Sequence, residues 1–384
     1  MTTGLIHHPY TPPAGFGAVP VGVHKASTVL FKDVAALRAR NWREKTGYTY
    51  GLHGTPTTFT LEQRLASLEG GRYTLLAPSG LAAIALVDLA LLQAGDEVLL
   101  PANVYGPSRE LARHELAHWG IAHRVYDPMN AAALAALIGP RTRLVWLEAA
   151  GSVTLEFPDL PALVGTCRAR GVTVALDNTW GAGIAFAPFD LGVDLTMHAL
   201  TKYPSGGGDV LMGSVTTRDE ALHQRLTATH MRLGLGVGAN DAELVLRSLP
   251  TLALRYAAHD AAARRLAAWW QARPEAARVL HPAFEGSPGH ESWRTSCRAA
   301  AGLFSVVFGP AVEPARIDAF IDALRLFGIG YSWGGPMSLA VPYDLQALRG
   351  TPGTLVRFAV GLEAVDDLIA DCEQALRVSG LGGR

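Results

Sequence analysis

Val172-Thr173-Val174-Ala175-Leu176-Asp177-Asn178-Thr179-Trp180 opens as a continuous apolar run rich in β-branched residues and ends in a carboxylate. Such a run is expected of a strand buried on both faces, as in a parallel sheet covered by helices. A second segment, Val193-Asp194-Leu195-Thr196-Met197-His198-Ala199-Leu200-Thr201-Lys202, runs into Tyr203-Pro204-Ser205-Gly206-Gly207-Gly208-Asp209. A strand that meets a glycine-rich turn is expected to carry its last side chain, here Lys202, to the mouth of the sheet, where α/β proteins hold ligands.

Outward from these two segments, helical and strand patterns alternate. Tyr73 to Leu76, Glu97 to Leu100, Arg124 to Tyr126 and Thr142 to Leu147 read as strands, and Leu81 to Leu92 reads as a helix ended by Gly95. Asp209 to Val215 reads as one more strand. The alternation implies a mostly parallel central sheet wrapped by helices, an α/β fold. After Leu249-Pro250 a long helical stretch, Leu252 to Ala272, leads to a smaller α+β region with strands at Leu303 to Phe308 and Leu355 to Val360 and helices at Ile317 to Leu326 and Asp366 to Val378. Three units are expected: residues 1–55 as an extended arm against a neighbouring subunit, 56–248 as the cofactor-binding α/β domain and 249–384 as the C-terminal α+β domain.

Only four of the 33 basic residues are lysine, namely Lys25, Lys32, Lys45 and Lys202. Arginine serves elsewhere, so the isolated Lys202 points to a need for an amine: a lysine can lose its proton when desolvated and attack a carbonyl, and arginine cannot. Asp177 taken alone could be a helix cap. Paired with Lys202 it completes the demand of a pyridoxal phosphate enzyme, an amine for the aldehyde and an acid that keeps the ring nitrogen protonated. Ser79-Gly80 before Leu81 sets a turn at a helix start, where free amides and the helix dipole suit a phosphate.

These stretches, with Tyr50-Gly51-Leu52-His53-Gly54-Thr55-Pro56-Thr57, Tyr105-Gly106-Pro107-Ser108, Thr201-Lys202-Tyr203, Tyr331-Ser332-Trp333-Gly334-Gly335, Arg357 and Gly361-Leu362-Glu363, resemble the Cys/Met-metabolism family of pyridoxal phosphate enzymes, and within it the cystathionine β-lyase branch. They follow the family's order from about residue 30 to 375. The resemblance implies an aspartate-aminotransferase-like (fold type I) architecture and a homotetramer, a dimer of dimers with shared active sites. It implies that Lys202 bonds to the cofactor aldehyde, Asp177 pairs with the ring nitrogen and Tyr105 stacks on the ring. Gly80, Leu81, Thr201 and Thr179 would hold the cofactor with Tyr50 of a neighbouring subunit. Arg357, Ser332 and Trp333 would hold the substrate carboxylate, which a planar guanidinium matches bidentately. Catalysis would rest on Lys202, Tyr105 and Tyr50.

The implied reaction is β-elimination at a carbon–sulfur bond, cystathionine giving homocysteine, pyruvate and ammonia. A γ-type enzyme of the same family and a non-catalytic cofactor-binding relative are the alternatives. Three positions depart from the family pattern: Leu52 stands where an arginine is usual, with His53 a stand-in for its charge, Ala199 replaces a serine, and Gly206-Gly207-Gly208-Asp209 follows the lysine.

Composition fits an enzyme acting on small molecules. Hydrophobic residues make up 49% and charged residues 17% of 384 residues, enough for a large core and too few charges for a disordered chain. A net charge of −1 without a basic block gives no sign of nucleic acid or anionic membrane partners. Cys167, Cys297 and Cys372 lack metal-ligand spacing, His7-His8 lacks further ligands, and no metal is expected. Met1 to Tyr10 lacks the basic and apolar regions of a secretory signal, and no apolar run approaches the ~20 residues of a membrane span, so the cytoplasm is the expected compartment.

Overall fold

The computed structural model describes residues 2–45 and 47–382. Met1 and Thr46, within the expected arm, and Gly383 and Arg384, within the expected C-terminal unit, lie outside the described residues. Seven strands form the larger sheet: β1 (Tyr73–Ala77), β2 (Glu97–Pro101), β3 (Ala122–Tyr126), β4 (Thr142–Glu148), β5 (Thr173–Asp177), β6 (Leu195–Ala199) and β7 (Gly213–Thr217), in the order β1-β7-β6-β5-β4-β2-β3. Strands β6, β5, β4, β2 and β3 pair in parallel, and β7 runs antiparallel to both its neighbours.

Both faces of this sheet are buried, which explains the unbroken apolar runs. Successive strand residues point to opposite faces: Leu144, Trp146, Ala175 and Met197 pack with Ile84 and Val87 of the helix Gly80–Leu91, while Val145, Leu147, Val174 and Leu176 enter the core on the other side with Leu61 and Leu65. Asp88, the acid within that apolar helix, is buried and accepts a hydrogen bond from Trp146 Nε1 at 2.8 Å. Burial pushes its pKa up to about 7, against the pull of the indole.

Two expectations need correction. The seventh strand starts at Gly213, because the chain first turns through Gly206 and Gly208 at positive φ and pairs with β1 only where Gly213 slides against the Ser79 carbonyl. A Cβ at Gly213 would lie 2.4 Å from that oxygen. The helix expected over Ile317 to Leu326 spans Pro314–Asp322. It ends early because the Asp371 carboxylate accepts the backbone N–H groups of Arg325 and Leu326, turning the chain away from the helix.

The second sheet has five strands, β8 (Arg278–Leu280), β9 (Leu303–Phe308), β10 (Gly328–Ile329), β11 (Leu339–Asp344) and β12 (Thr354–Ala359), ordered β10-β11-β12-β9-β8. One face packs Phe304, Val306, Phe308, Val356 and Phe358 around Trp270. The other presents Ser305, Leu355 and Arg357 toward the first domain, where Ser305 Oγ donates to the Val153 carbonyl at 2.8 Å. The helix Leu252–Gln271 serves both cores: Leu252 and Tyr256 lie in that of the larger sheet, and Ala263, Leu266, Ala267 and Trp270 in that of the smaller. Ahead of residue 56 the described chain holds only short helical turns at Thr2–Ile6, Val34–Arg38 and Gly51–His53 and one isolated bridge, Thr28 to Tyr50.

Candidate active site

The carboxyl ends of β5 and β6 bring Asp177 and Lys202 to one cleft. Lys202 is not the last residue of its strand. β6 stops at Ala199, and a turn closed by Lys202 N to Ala199 O at 3.1 Å and Gly206 N to Lys202 O at 3.0 Å carries the lysine beyond the sheet edge. The chain can turn there because Gly206 adopts positive φ, a conformation that favours glycine.

Lys202 Nζ donates to Ser332 Oγ at 2.7 Å and lies 5.6 Å from the Trp333 ring centre. Its pKa is pulled down to about 8, first by burial and then by the Arg357 charge, with Asp177 opposing both. Ser332 holds φ at 97°, a strained value for a residue with a side chain. Gly334 follows at φ 77°, packed so closely that a Cβ would lie 2.8 Å from Tyr203 N. This tight loop brings Ser332 and Trp333 from the second domain onto the lysine.

Asp177 ends β5 and is buried. Burial raises its pKa, while hydrogen bonds from the Thr179 hydroxyl and backbone and the charges of His198 and Lys202 favour the carboxylate. Thr179 Oγ1 also accepts from Ala199 N at 2.9 Å, so a single hydroxyl ties the acid to the end of the neighbouring strand. Thr201 Oγ1 exchanges hydrogen bonds with backbone groups of Met212 at 3.2 and 3.3 Å. Both hydroxyls therefore position the backbone around the cleft.

Tyr105 stands at the start of the helix Gly106–Leu111, its backbone N–H donating to Glu148 Oε2 at 2.8 Å. Its phenol pKa is raised by burial first and then by Asp177 and Glu148, with Arg357 opposing, so Tyr105 lies within electrostatic reach of both the acid and the guanidinium. Arg357 on β12 is buried. Its Nη1 donates to Ser152 O at 3.2 Å, Nε has no hydrogen-bond partner, and Cζ lies 5.5 Å from the Tyr343 ring centre. A buried cation with donors to spare is suited to an external anion.

At the far end of β1, Ser79 caps the helix Gly80–Leu91 by accepting from Ala82 N at 3.0 Å. The Gly80 and Leu81 N–H groups belong to the first turn, where no carbonyl of the helix itself can take them. A Cβ at Gly80 would lie 2.8 Å from Ala199 Cβ, so the helix start is pressed against the end of β6 and close to Lys202.

Tyr50 stands apart. Its ring is exposed and faces His53 with ring centres 6.1 Å apart, and none of its contacts among the described residues reaches the Lys202 cluster. Leu52, in place of an arginine, packs on Gly236, where a Cβ would lie 2.8 Å from its Cδ1. His53 is engaged by Thr49 Oγ1 and the Trp42 ring, and burial and Arg40 lower its pKa. Glu148 and Tyr343 escaped the sequence reading. Glu148 carried a signal, an acid at the exit of a buried strand as at Asp177; Tyr343 carried none, since its place beside Arg357 depends on strand register. Cavities of about 480 and 540 Å³ elsewhere are lined by none of Lys202, Asp177 and Arg357, so the convergence of side chains, not volume, marks the site.

The model of the Cys/Met metabolism PLP-dependent enzymes matches residues 2–377. The chain belongs to that family. Among curated relatives, the cystathionine beta-lyase of Bordetella avium is 41% identical over 377 residues, 96% of this chain and 94% of the relative. Cystathionine beta-lyase MetC of Escherichia coli is 35% identical over 368 residues, 93% of each chain. The crystal structure of metB from Corynebacterium glutamicum matches with a TM-score of 0.91 at 29% identity, covering 98% of this chain and 97% of the other.

As a member of the family the chain is a pyridoxal phosphate-dependent enzyme of fold type I. Its cleft fits that cofactor: a desolvated amine could meet the aldehyde, a buried carboxylate the ring nitrogen, and the helix start at Gly80 the phosphate. In the apoprotein this lysine must lose a proton before it reacts. The rate at which apoprotein bonds to added cofactor should rise as pH passes through about 8. Stopped-flow absorbance measures this, and a rate that stays flat between about pH 6 and 9 would contradict the desolvated amine.

Proposed function

We propose that the chain cleaves a carbon–sulfur bond by β-elimination, converting cystathionine and water to homocysteine, pyruvate and ammonia. The observation that carries this reading is the seating of Lys202 Nζ against Ser332 and Trp333, with its pKa lowered by burial and by Arg357. A single amine lies between an acid suited to the cofactor ring and a cation suited to a substrate carboxylate. The names carried by the relatives support the same reaction.

When bound, pyridoxal phosphate supplies a ring that withdraws electrons from the substrate Cα. Asp177 holds the proton on the ring nitrogen. Arg357 binds the α-carboxylate, with Ser332 and Trp333 bordering it, and so fixes which Cα bond faces Lys202. Lys202 Nζ takes the Cα proton, a task suited to an amine whose pKa is about 8. The sulfur leaves with the bonding electron pair, and the Tyr105 hydroxyl, which keeps its proton because burial and two carboxylates raise its pKa, is placed to protonate it. Glu148 orients Tyr105 through its backbone N–H.

Tyr50 is assigned to the site of a second copy. Its exposure in the single chain supports this, as do the exposed apolar residues Phe16, Val19 and Leu30 along the same arm. We assign residues 1–55 as that arm, 56–248 as the cofactor domain, 249–384 as the C-terminal domain, and a homotetramer as the working assembly. No helix among the described residues is long and apolar enough to cross a membrane, and the three cysteines are unpaired, which supports a reducing compartment such as the cytoplasm.

Incubation of purified, cofactor-saturated protein with L-cystathionine tests the reaction. Pyruvate and homocysteine are the expected products. Release of 2-oxobutanoate and cysteine would assign the protein to γ-chemistry, and absence of any turnover would leave a cofactor-binding relative without lyase activity.

A further inference from the structure

Arg357 has its charge buried and is sparsely bonded by the protein. One nitrogen donates to the Ser152 carbonyl at 3.2 Å, and Nε has no partner. An arginine side chain has several rotatable bonds and five N–H donors, so a single hydrogen bond to the protein leaves its plane poorly fixed. What borders the guanidinium elsewhere is an aromatic ring, Tyr343, with its centre 5.5 Å from Cζ.

The register of the second sheet explains that contact. Arg357 on β12 pairs with Val341 on β11, and Tyr343 lies two residues further along β11, on the same face. Diagonal neighbours of this kind stand about 7–8 Å apart at their backbones, within reach of one aromatic and one long side chain. Val341 is too short to cover the guanidinium. Tyr343 itself is held between Leu280, Leu345 and Leu355 in a small apolar cluster that also takes in Val153, next to Ser152, whose carbonyl accepts from Arg357. Ring and carbonyl thus come from opposite domains and meet on one cation.

We propose that Tyr343 is a positioning residue that holds Arg357 in the orientation required for a substrate α-carboxylate. The ring face attracts the cation without using any of its N–H groups, which stay available for two carboxylate oxygens. A hydrogen-bonding neighbour in its place would occupy a donor. A carboxylate there would neutralise the site. The inference rests on the reading of Arg357 as the carboxylate-binding residue.

The test compares two probes on the cofactor-saturated protein, L-alanine and ethylamine, the latter being alanine without its carboxyl group. Binding of each is followed through the visible spectrum of the bound cofactor. Tyr343→Leu is expected to weaken alanine about tenfold and leave ethylamine unchanged, whereas Tyr343→Phe, which keeps the ring, matches the parent for both. With a reacting amino acid the same loss should fall on KM and leave kcat within about twofold. Equal weakening of both probes in Tyr343→Leu, or no weakening of alanine, overturns the inference, and so does a Phe variant as weak as the Leu variant. Alanine binding requires no elimination, so a protein that proves inactive on cystathionine refutes the proposed lyase reaction while this comparison still decides the role of Tyr343.

Discussion

Lys202→Ala is expected to abolish turnover, lowering it by about 10⁴-fold or more, and to remove the visible absorption of covalently bound cofactor. No second amine stands ready to replace it. Lys25 and Lys32 lie ahead of both sheets, outside any helix or strand, and Lys45 is bonded to Glu62 on the helix Pro56–Glu69. The three other lysines are thus absent from the contacts that build the cleft, and arginine cannot form the bond. Borohydride reduction of the parent followed by peptide mapping checks the same point, since the label should reside on the peptide containing Lys202. Label on another lysine, or a variant that keeps the absorption band, would overturn the whole assignment.

Asp177→Asn should have the second largest effect. The substitution keeps the size of the side chain and an oxygen for the Thr179 N–H, now at 2.9 Å from Oδ1, but removes the charge that holds a proton on the ring nitrogen. Turnover at full cofactor saturation is expected to fall by about 10²-fold or more, with cofactor still bound through Lys202. The measurement is kcat on protein whose cofactor content has been verified by absorbance. Parental kcat in that variant would mean that Asp177 does not tune the ring.

Several residues of the proposed site carry a signal in the sequence itself. Asp177 and Lys202 could be found because each follows a buried apolar run, and such runs end where a parallel sheet opens. Arg357 stood out as a charge within an apolar strand. What the chain does not display locally is the partner of each group. The Thr179 hydroxyl, which the resemblance assigns to the cofactor, also joins Asp177 to the amide of Ala199, a contact made only once β5 and β6 lie side by side. The strands β8, β10 and β11 were missed because they are short or interrupted by Pro342, and their identity comes from pairing. Leu52 and His53 show the same limit: the first fills space against Gly236, and the second is engaged by Thr49 and Trp42, neither of which periodicity can reveal.

The helix Leu252–Gln271 buries its first turns under one sheet and its last turns under the other, with Tyr256 donating to the Trp180 carbonyl and His259 bonded to the Val360 carbonyl along the way. Severing the gene anywhere along this rod would leave one product missing part of its core and the other with an uncovered greasy flank. Complementation from separately expressed halves is therefore a poor route to an active preparation, and fusions or insertions belong in exposed loops instead.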